Sequence, residues 1–170
     1  ASPATYEPSP KQIQDLSDSD IYLEIGKIGF EETWIKRFEK NNPDIPFLDV
    51  SKGIEFFESS HHHDGHMHTG EDPHIWMSPR NVLTISENIF QALITIYPED
   101  SVQFRQNLMK FLEEVRKIDS LYLSYSSELN GKNFMIFHPA LGYLARDYGM
   151  KQHVLEFEGK EPPPAHIANL

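Results

Sequence analysis

Histidine is the residue type in this 170-residue chain whose spacing most suggests chemistry. Six of the nine histidines lie between residues 58 and 79, and five of those six belong to a stretch rich in serine, glycine and acidic residues. Neutral imidazole is the commonest metal ligand and suits borderline metals such as zinc. The segment 58–71 therefore predicts a flexible loop that captures metal, with possible accessory ligands His61, His62, His63, His66 and His68. The alternative is a solvated acidic-histidine loop without a dedicated role.

The sixth histidine of this region, His74, has a more rigid setting between Asp72-Pro73 and Ile75-Trp76. Pro73 fixes its own φ and biases Asp72 toward an extended conformation, which restricts where the imidazole can point. Asp72 or Glu71 is available to hold the second ring nitrogen, as metal-binding histidines usually require. The pattern suits a metal ligand and equally a capping or packing histidine near the start of the next helix.

A second candidate ligand, His138, ends the predicted strand 133–137 and enters the turn His138-Pro139-Ala140. Ligands of open α/β sheets bind at the carboxyl ends of strands. Taken alone, His138 suits a helix cap or a partly buried histidine better, but two such positions in one chain favour a metal site. The chain has no cysteine, so its ligands must be His, Asp, Glu or water. His153 and His166 have no ligand-like context and are interpreted as structural or surface residues.

Helix and strand patterns alternate along the chain, which predicts an α/β class with mainly parallel sheets. Ser9-Pro10 and Ser78-Pro79 each match a helix start with proline at the first position. Apolar residues spaced by three and four predict one long helix from Asp100 to Leu129, which Asn130-Gly131 ends. Two further helices are predicted at 30–41 and 140–148, and a last helix is predicted to begin near Pro163. The predicted strands cover 20–26, 47–50, 133–137 and 153–157.

The bulk composition excludes several functions. A net charge of -11 argues against a nucleic-acid partner, which needs a basic face. No apolar run reaches the roughly 18 residues of a membrane span, and no signal peptide is evident. We find no nucleophile–base arrangement, glycine-rich phosphate loop or HExxH motif, so an enzyme is not expected. A zinc hydrolase is the enzymatic alternative, but it lacks an obvious general base. Both ends of the sequence predict an incomplete protein.

Four segments in order carry a resemblance to a known family: TYEPSP at 5–10, the His-rich loop, DPHIWMSP at 72–79 and FHPALGYLARDYGM at 137–150. Together they resemble the zinc- and manganese-specific solute-binding proteins of bacterial ABC importers, closest to the zinc-uptake (ZnuA/TroA-like) branch. The resemblance implies two α/β lobes joined by one long rigid helix, with the metal in the cleft. It implies an N-terminal lobe at 1–99 that lacks its first strands, a connecting helix at 100–130 and the start of a C-terminal lobe at 131–170.

The same resemblance implies the metal ligands. His74 matches the ligand of the DPHxW turn, and His138 matches the ligand that opens the second lobe. Manganese-type relatives usually have Glu at the latter position, so His138 favours zinc. Ala4 occupies the position of a missing family ligand, a histidine, and the fourth ligand is expected beyond Leu170. Two imidazoles leave a four-coordinate zinc half filled, so weaker, water-completed binding is expected unless loop histidines contribute.

The function that the resemblance implies is high-affinity capture of Zn2+ and its delivery to an ABC permease in the membrane. The implied location is the periplasm or a lipid anchor at the outer face of the bacterial cytoplasmic membrane, and a monomer is expected. The alternatives are a manganese- or iron-specific receptor of the same fold and a surface adhesin lipoprotein.

Overall fold

The computed structural model of the chain describes residues 6–61 and 68–156. Two 3-10 turns, Ile75–Met77 and Pro98–Asp100, precede the two longest helices. The helices are α1 (Pro10–Ser17), α2 (Gly29–Asn41), α3 (Pro79–Ile96), α4 (Ser101–Ser124), α5 (Ser126–Leu129) and α6 (Gly142–Asp147). The strands are β1 (Tyr22–Glu24), β2 (Phe47–Asp49), β3 (Glu58–His61), β4 (His68–Glu71), β5 (Asn133–Ile136) and β6 (Lys151–Val154).

The described strands form three two-stranded sheets, and two of these sheets are parallel. Strand β1 pairs with β2 across the crossover helix α2, and β5 pairs with β6 across α6. Parallel strands need such a crossover because a tight hairpin can join only antiparallel neighbours. The predicted α/β class with mainly parallel sheets is therefore confirmed.

The chain divides into two compact units. The first unit comprises 1–54 and 84–108, and the second comprises 55–83 and 109–170, so that α3 and α4 each belong to both. The predicted division into 1–99, 100–130 and 131–170 stays a prediction. No helix within the described segments is both long enough and apolar enough to cross a membrane.

The buried apolar residues of the first unit are Phe38 on α2, Val50 after β2, and Ile85, Phe90 and Ala92 on α3. The carboxylate of Glu31, on α2, is buried and accepts hydrogen bonds from the backbone N–H groups of Ile25 and Gly26 at 3.1 and 2.7 Å. This carboxylate satisfies the backbone donors that follow β1. Ser9 caps α1 with Pro10 at the first helical position, as predicted, and Gln12 completes a capping box with Ser9.

The predicted helix from Asp100 to Leu129 is interrupted. Helix α4 ends at Ser124, and Tyr125, at φ -99° and ψ 6°, separates it from the single turn of α5. The Ser124 hydroxyl donates to the carbonyl oxygen of Leu121 at 2.7 Å. A serine side chain that bonds to a backbone carbonyl in this way competes with the hydrogen bonds of the helix. The spacing of apolar residues, from which one continuous helix was predicted, carries no information about such a bond.

The His-rich segment contains a β-hairpin. Strands β3 and β4 are antiparallel, with Glu58 opposite Glu71 and His61 opposite His68. The expectation of a continuous loop over 58–71 is thus wrong at 58–61 and 68–71. Ser and His carry no strong strand signal, so the sequence alone did not indicate these two strands.

Candidate metal centre

Two imidazole rings meet in the second unit. The Nε2 atoms of His74 and His138 lie 3.1 Å apart, although 64 residues separate them in the chain. His74 immediately precedes the 3-10 turn Ile75–Met77, and His138 follows shortly after β5. The side chain of His74 is 19% exposed and that of His138 is 56% exposed, so the pair lies at the surface of its unit with His138 on the open side. The structure thus brings together the two histidines that the sequence singled out.

The Asp72 carboxylate orients His74. Its Oδ1 atom accepts from the backbone N–H of His74 at 2.9 Å and lies 2.7 Å from Nδ1 of the same residue. An aspartate that accepts from the backbone two residues later forms an Asx turn, which Pro73 stiffens further. The Asp72 side chain is only 4% exposed, so this interaction is shielded from water. Asp72, one of the two acidic residues considered from the sequence, thus contacts the His74 ring.

Apolar and polar contacts fix the turn that carries His74. Ile75 and Tyr143 are fully buried, and the Tyr143 hydroxyl donates to the carbonyl oxygen of Asp72 at 2.6 Å. The Asn81 amide donates to the carbonyl oxygen of Ile75 at 3.0 Å. Burial, and secondarily the charge of Asp72, raises the pKa of Tyr143 to about 12, so its hydroxyl remains a donor at neutral pH. The turn is therefore held by hydrogen bonds from two helices.

A carboxylate that the sequence did not reveal contacts His138. The Glu156 Oε2 atom lies 2.8 Å from Nδ1 of His138. The sequence predicted a strand at 153–157, whereas β6 covers Lys151–Val154, and this displacement hid the pairing. The register pairs Asn133 with Lys151 and Ile136 with Val154, and the same offset places Glu156 beside His138. Alignment of the two strands in this register was the signal that could have found Glu156.

The hydrogen-bond network assigns the tautomers of both rings. An ionised carboxylate can only accept a hydrogen bond, so Asp72 and Glu156 favour a proton on Nδ1 of His74 and of His138. The two Nε2 lone pairs then face each other across 3.1 Å. Lone pairs at that distance repel unless a metal ion or a hydrogen-bonding proton lies between them. Tetrahedral zinc with Zn–N bonds of about 2.0–2.1 Å holds two ligand nitrogens about 3.3 Å apart, close to the separation seen here.

The other predicted ligands have different positions. Residues 61 and 68 are opposite each other on the hairpin, and the accessory role of the loop histidines stays a prediction. His153 contacts the Asn133 side chain at 3.1 Å. Within 6–61 and 68–156, no group of three or more His, Cys, Asp or Glu residues has the geometry to hold a metal ion. The predicted accessory ligands His62, His63 and His66 lie outside the described residues, as do Ala4, at the position of the missing family ligand, and His166.

Comparison with known proteins gives concordant matches. The family model described as the periplasmic zinc-uptake complex component A, ZnuA, matches residues 1–170. The high-affinity zinc uptake system protein ZnuA of Bacillus subtilis strain 168 is 30% identical over 99% of this chain and 56% of its own length. The zinc-binding lipoprotein AdcA of Streptococcus pneumoniae strain R6 is 31% identical over 99% of this chain and 35% of its own length.

The fold of the chain is also similar to that of a solved structure. The crystal structure of a ZnuA deletion mutant with zinc bound aligns with 98% of this chain and 62% of its own chain, with a TM-score of 0.81 and 33% identity. The chain thus spans between about one third and two thirds of the length of these proteins.

Proposed function

Since the chain belongs to the family of periplasmic component A of zinc-uptake complexes, we propose that it is the zinc receptor of a bacterial ABC importer. In this role it captures Zn2+ and delivers the ion to the membrane permease. The Bacillus subtilis and Streptococcus pneumoniae relatives are named for zinc uptake and zinc binding, which supports Zn2+ as the ion. The proposal describes a receptor that binds and releases an ion, and not an enzyme.

The observation that carries this proposal is the convergence of two Nε2 atoms, each on a ring whose Nδ1 contacts a carboxylate. Metal-ligating histidines almost always have such a partner on the second nitrogen, because it fixes the tautomer and the ring orientation. We assign His74 and His138 as two ligands of the transported zinc ion. Two coordination positions of a tetrahedral ion are then left for water or for other residues.

An ion with two open positions suits a delivery protein. Water ligands exchange readily, so a permease can compete for the ion without first breaking a closed set of protein ligands. The exposure of His138, at 56% of its side chain, gives a competing ligand access from that side. Docking of the receptor on the permease is the step that we expect to trigger release.

The proposed location is the outer face of the bacterial cytoplasmic membrane, either free in the periplasm or held by a lipid anchor. The family is that of a periplasmic component, and the Streptococcus pneumoniae relative is named a lipoprotein. The accessory role of the histidines in 58–71 and a monomeric state belong to the same proposal.

Calorimetric zinc titration of three single variants tests the assignment. We expect His74→Ala and His138→Ala to weaken zinc binding by more than about 100-fold, the upper end of the loss for an outer-shell partner. The matched control is His153→Ala, which removes an imidazole of the same unit that contacts Asn133. Wild-type affinity in both His74→Ala and His138→Ala would refute the assigned site.

A further inference from the structure

We propose that Glu156 is a positioning residue of this metal centre, which holds the His138 ring with its Nε2 atom directed at the ion. The inference rests on the proposed function, because it concerns how an assigned zinc ligand is presented. Glu156 touches neither the ion nor His74 in this role and acts only through the ring of His138.

The backbone of the second unit builds this contact. Backbone hydrogen bonds join the two segments just beyond the ends of β5 and β6: Leu155 N–H donates to the carbonyl oxygen of Ile136 and Glu156 N–H donates to that of Phe137, each at 2.9 Å. His138 follows Phe137 directly, so these bonds place Glu156 beside it. The backbone that carries Glu156 is therefore held against the segment that carries His138 by the strand pairing and by these two hydrogen bonds.

The side of the ring that Glu156 occupies excludes it as a direct ligand of the same ion. Its Oε2 atom lies 2.8 Å from Nδ1 of His138, whereas Nε2 of that ring faces His74. The two nitrogens of an imidazole point in divergent directions, so the carboxylate lies behind the ring as seen from His74. The Glu156 side chain is 16% exposed, and this partial burial strengthens the interaction relative to one in open water.

His138 needs such a partner more than His74 does. The His74 turn is fixed by Pro73 and by two contacts to Asp72, and the His74 side chain is 19% exposed. The His138 side chain is 56% exposed, so fewer neighbours limit its rotamers or select its tautomer. In neutral imidazole either nitrogen can carry the proton, and only the Nδ1–H tautomer presents a lone pair at Nε2. Contact with Glu156 selects that tautomer.

The charges also balance. Two neutral imidazoles and one Zn2+ carry a total charge of +2. The carboxylates of Asp72 and Glu156, which contact the Nδ1 atoms of the two rings, supply a charge of -2. Loss of Glu156 would leave this balance incomplete in a partly desolvated site, where charge interactions are stronger than in water. Glu156 therefore contributes to zinc affinity both through ring orientation and through electrostatics.

Two readouts on the full chain test this role. The first is the tautomer of His138 in zinc-free protein, measured from two-bond proton–nitrogen NMR correlations of the imidazole. The second is zinc affinity, measured by calorimetry. The variants are Glu156→Ala and Glu156→Gln, because Gln keeps an acceptor oxygen and loses the charge. The control is Glu128→Gln, which removes the same charge from an exposed position in the same unit.

We expect Glu156→Ala to increase the Nε2–H tautomer of His138 and to weaken zinc binding by about 10- to 100-fold. Glu156→Gln should keep more of the wild-type tautomer and lose less affinity than Glu156→Ala, and Glu128→Gln should match wild type in both readouts. A wild-type tautomer population in Glu156→Ala would overturn the proposal. Wild-type zinc affinity in Glu156→Ala would overturn it as well if His138→Ala impairs binding.

The tautomer readout needs no zinc, which separates this proposal from the assignment of the zinc site. If His138→Ala binds zinc like wild type, the assignment of His138 as a ligand fails. A shift in tautomer in Glu156→Ala would still establish that Glu156 orients the ring. If His138→Ala loses binding and Glu156→Ala changes neither readout, only the role of Glu156 is refuted.

Discussion

The hydroxyl of Tyr143 donates a 2.6 Å hydrogen bond to the backbone carbonyl oxygen of Asp72, which lies 71 positions earlier in the chain. Tyr143 is fully buried on α6, and Asp72 contacts the ring of His74. The hydrogen bond therefore connects the helix between β5 and β6 to the turn that presents the first imidazole. The packing of α6 therefore supports the position of the His74 ring.

Removal of the Tyr143 hydroxyl should loosen this turn. We expect Tyr143→Phe to lower the free energy of unfolding by about 1–3 kcal/mol, because a buried carbonyl loses its donor. Urea denaturation measures the change. The control is Tyr125→Phe, which removes a hydroxyl from a side chain that is 50% exposed and should alter stability little. Equal stability of Tyr143→Phe and wild type would show that the hydrogen bond contributes nothing net.

Gly142 permits the close approach of α6 to the His74 turn. A β-carbon at this position would lie 2.6 Å from Cζ of Phe57 and 3.1 Å from Oδ2 of Asp72. We expect Gly142→Ala to destabilise the protein by about 1–3 kcal/mol through overpacking, less any gain of up to about 1 kcal/mol in helix propensity. Thermal unfolding measures this change. Gly142→Ser should cost more than Gly142→Ala, and stabilisation by both would contradict the crowding argument.

Asp72 should matter to metal binding through its charge and its acceptor oxygen. In Asp72→Asn, the amide can turn its NH2 group toward Nδ1 of His74 and favour the wrong tautomer. We expect zinc affinity to fall by about 10- to 100-fold, as for other outer-shell partners. The control, Asp44→Asn, removes the same charge from an exposed residue of the first unit. Isothermal titration with zinc compares the two, and equal affinities would refute the role given to Asp72.

Glu24 should make the first unit pH-sensitive. Partial burial, followed by the charges of Glu31, Asp49 and Glu39, raises the pKa of Glu24 above the ordinary value of 4.5. The folded state thus binds the proton more tightly than the unfolded state. The resulting stability is fully present below the unfolded pKa and is lost as the pH rises through the folded pKa.

Glu24→Gln removes that titration. We expect a higher melting temperature than wild type at pH 7, and a difference that shrinks toward zero at about pH 3.5, below the ordinary pKa of glutamate. Scanning calorimetry at the two pH values measures both differences. A melting temperature lower than wild type at pH 7 would show that ionised Glu24 is favourable in the fold.

The histidines of 58–71 should change zinc capacity without changing the main site. We expect replacement of His61, His62, His63, His66 and His68 by serine to remove weak additional zinc binding while one ion per chain is retained. The physical reason is that His74 and His138 contact each other and two carboxylates, Asp72 and Glu156, that lie outside 58–71. Calorimetric stoichiometry measures the outcome. Loss of the single tight site in this variant would show instead that a loop histidine completes the coordination.

The sequence alone determined the elements whose signals are local. Ser9-Pro10 and Ser78-Pro79 predicted where α1 and α3 begin, because a capping side chain and the fixed φ of proline act within one turn. The alternation of strands and helices determined the α/β class, since each crossover requires a helix. The sequence also identified His74 and His138 as a pair of candidate ligands, although their spacing alone was equally compatible with capping or packing histidines.

Only the tertiary structure decided what depends on register or on distant packing. The contact of Glu156 with His138 follows from the alignment of β5 with β6, and an error of two residues in the predicted start of β6 concealed it. The break at Tyr125, beside the hydrogen bond from the Ser124 side chain, and the pairing of β3 with β4 likewise involve hydrogen bonds that hydrophobic periodicity does not report. The sequence specified which side chains have the chemistry to bind a metal ion, and folding decided which nitrogens meet, because distances between remote residues are set by packing and strand register.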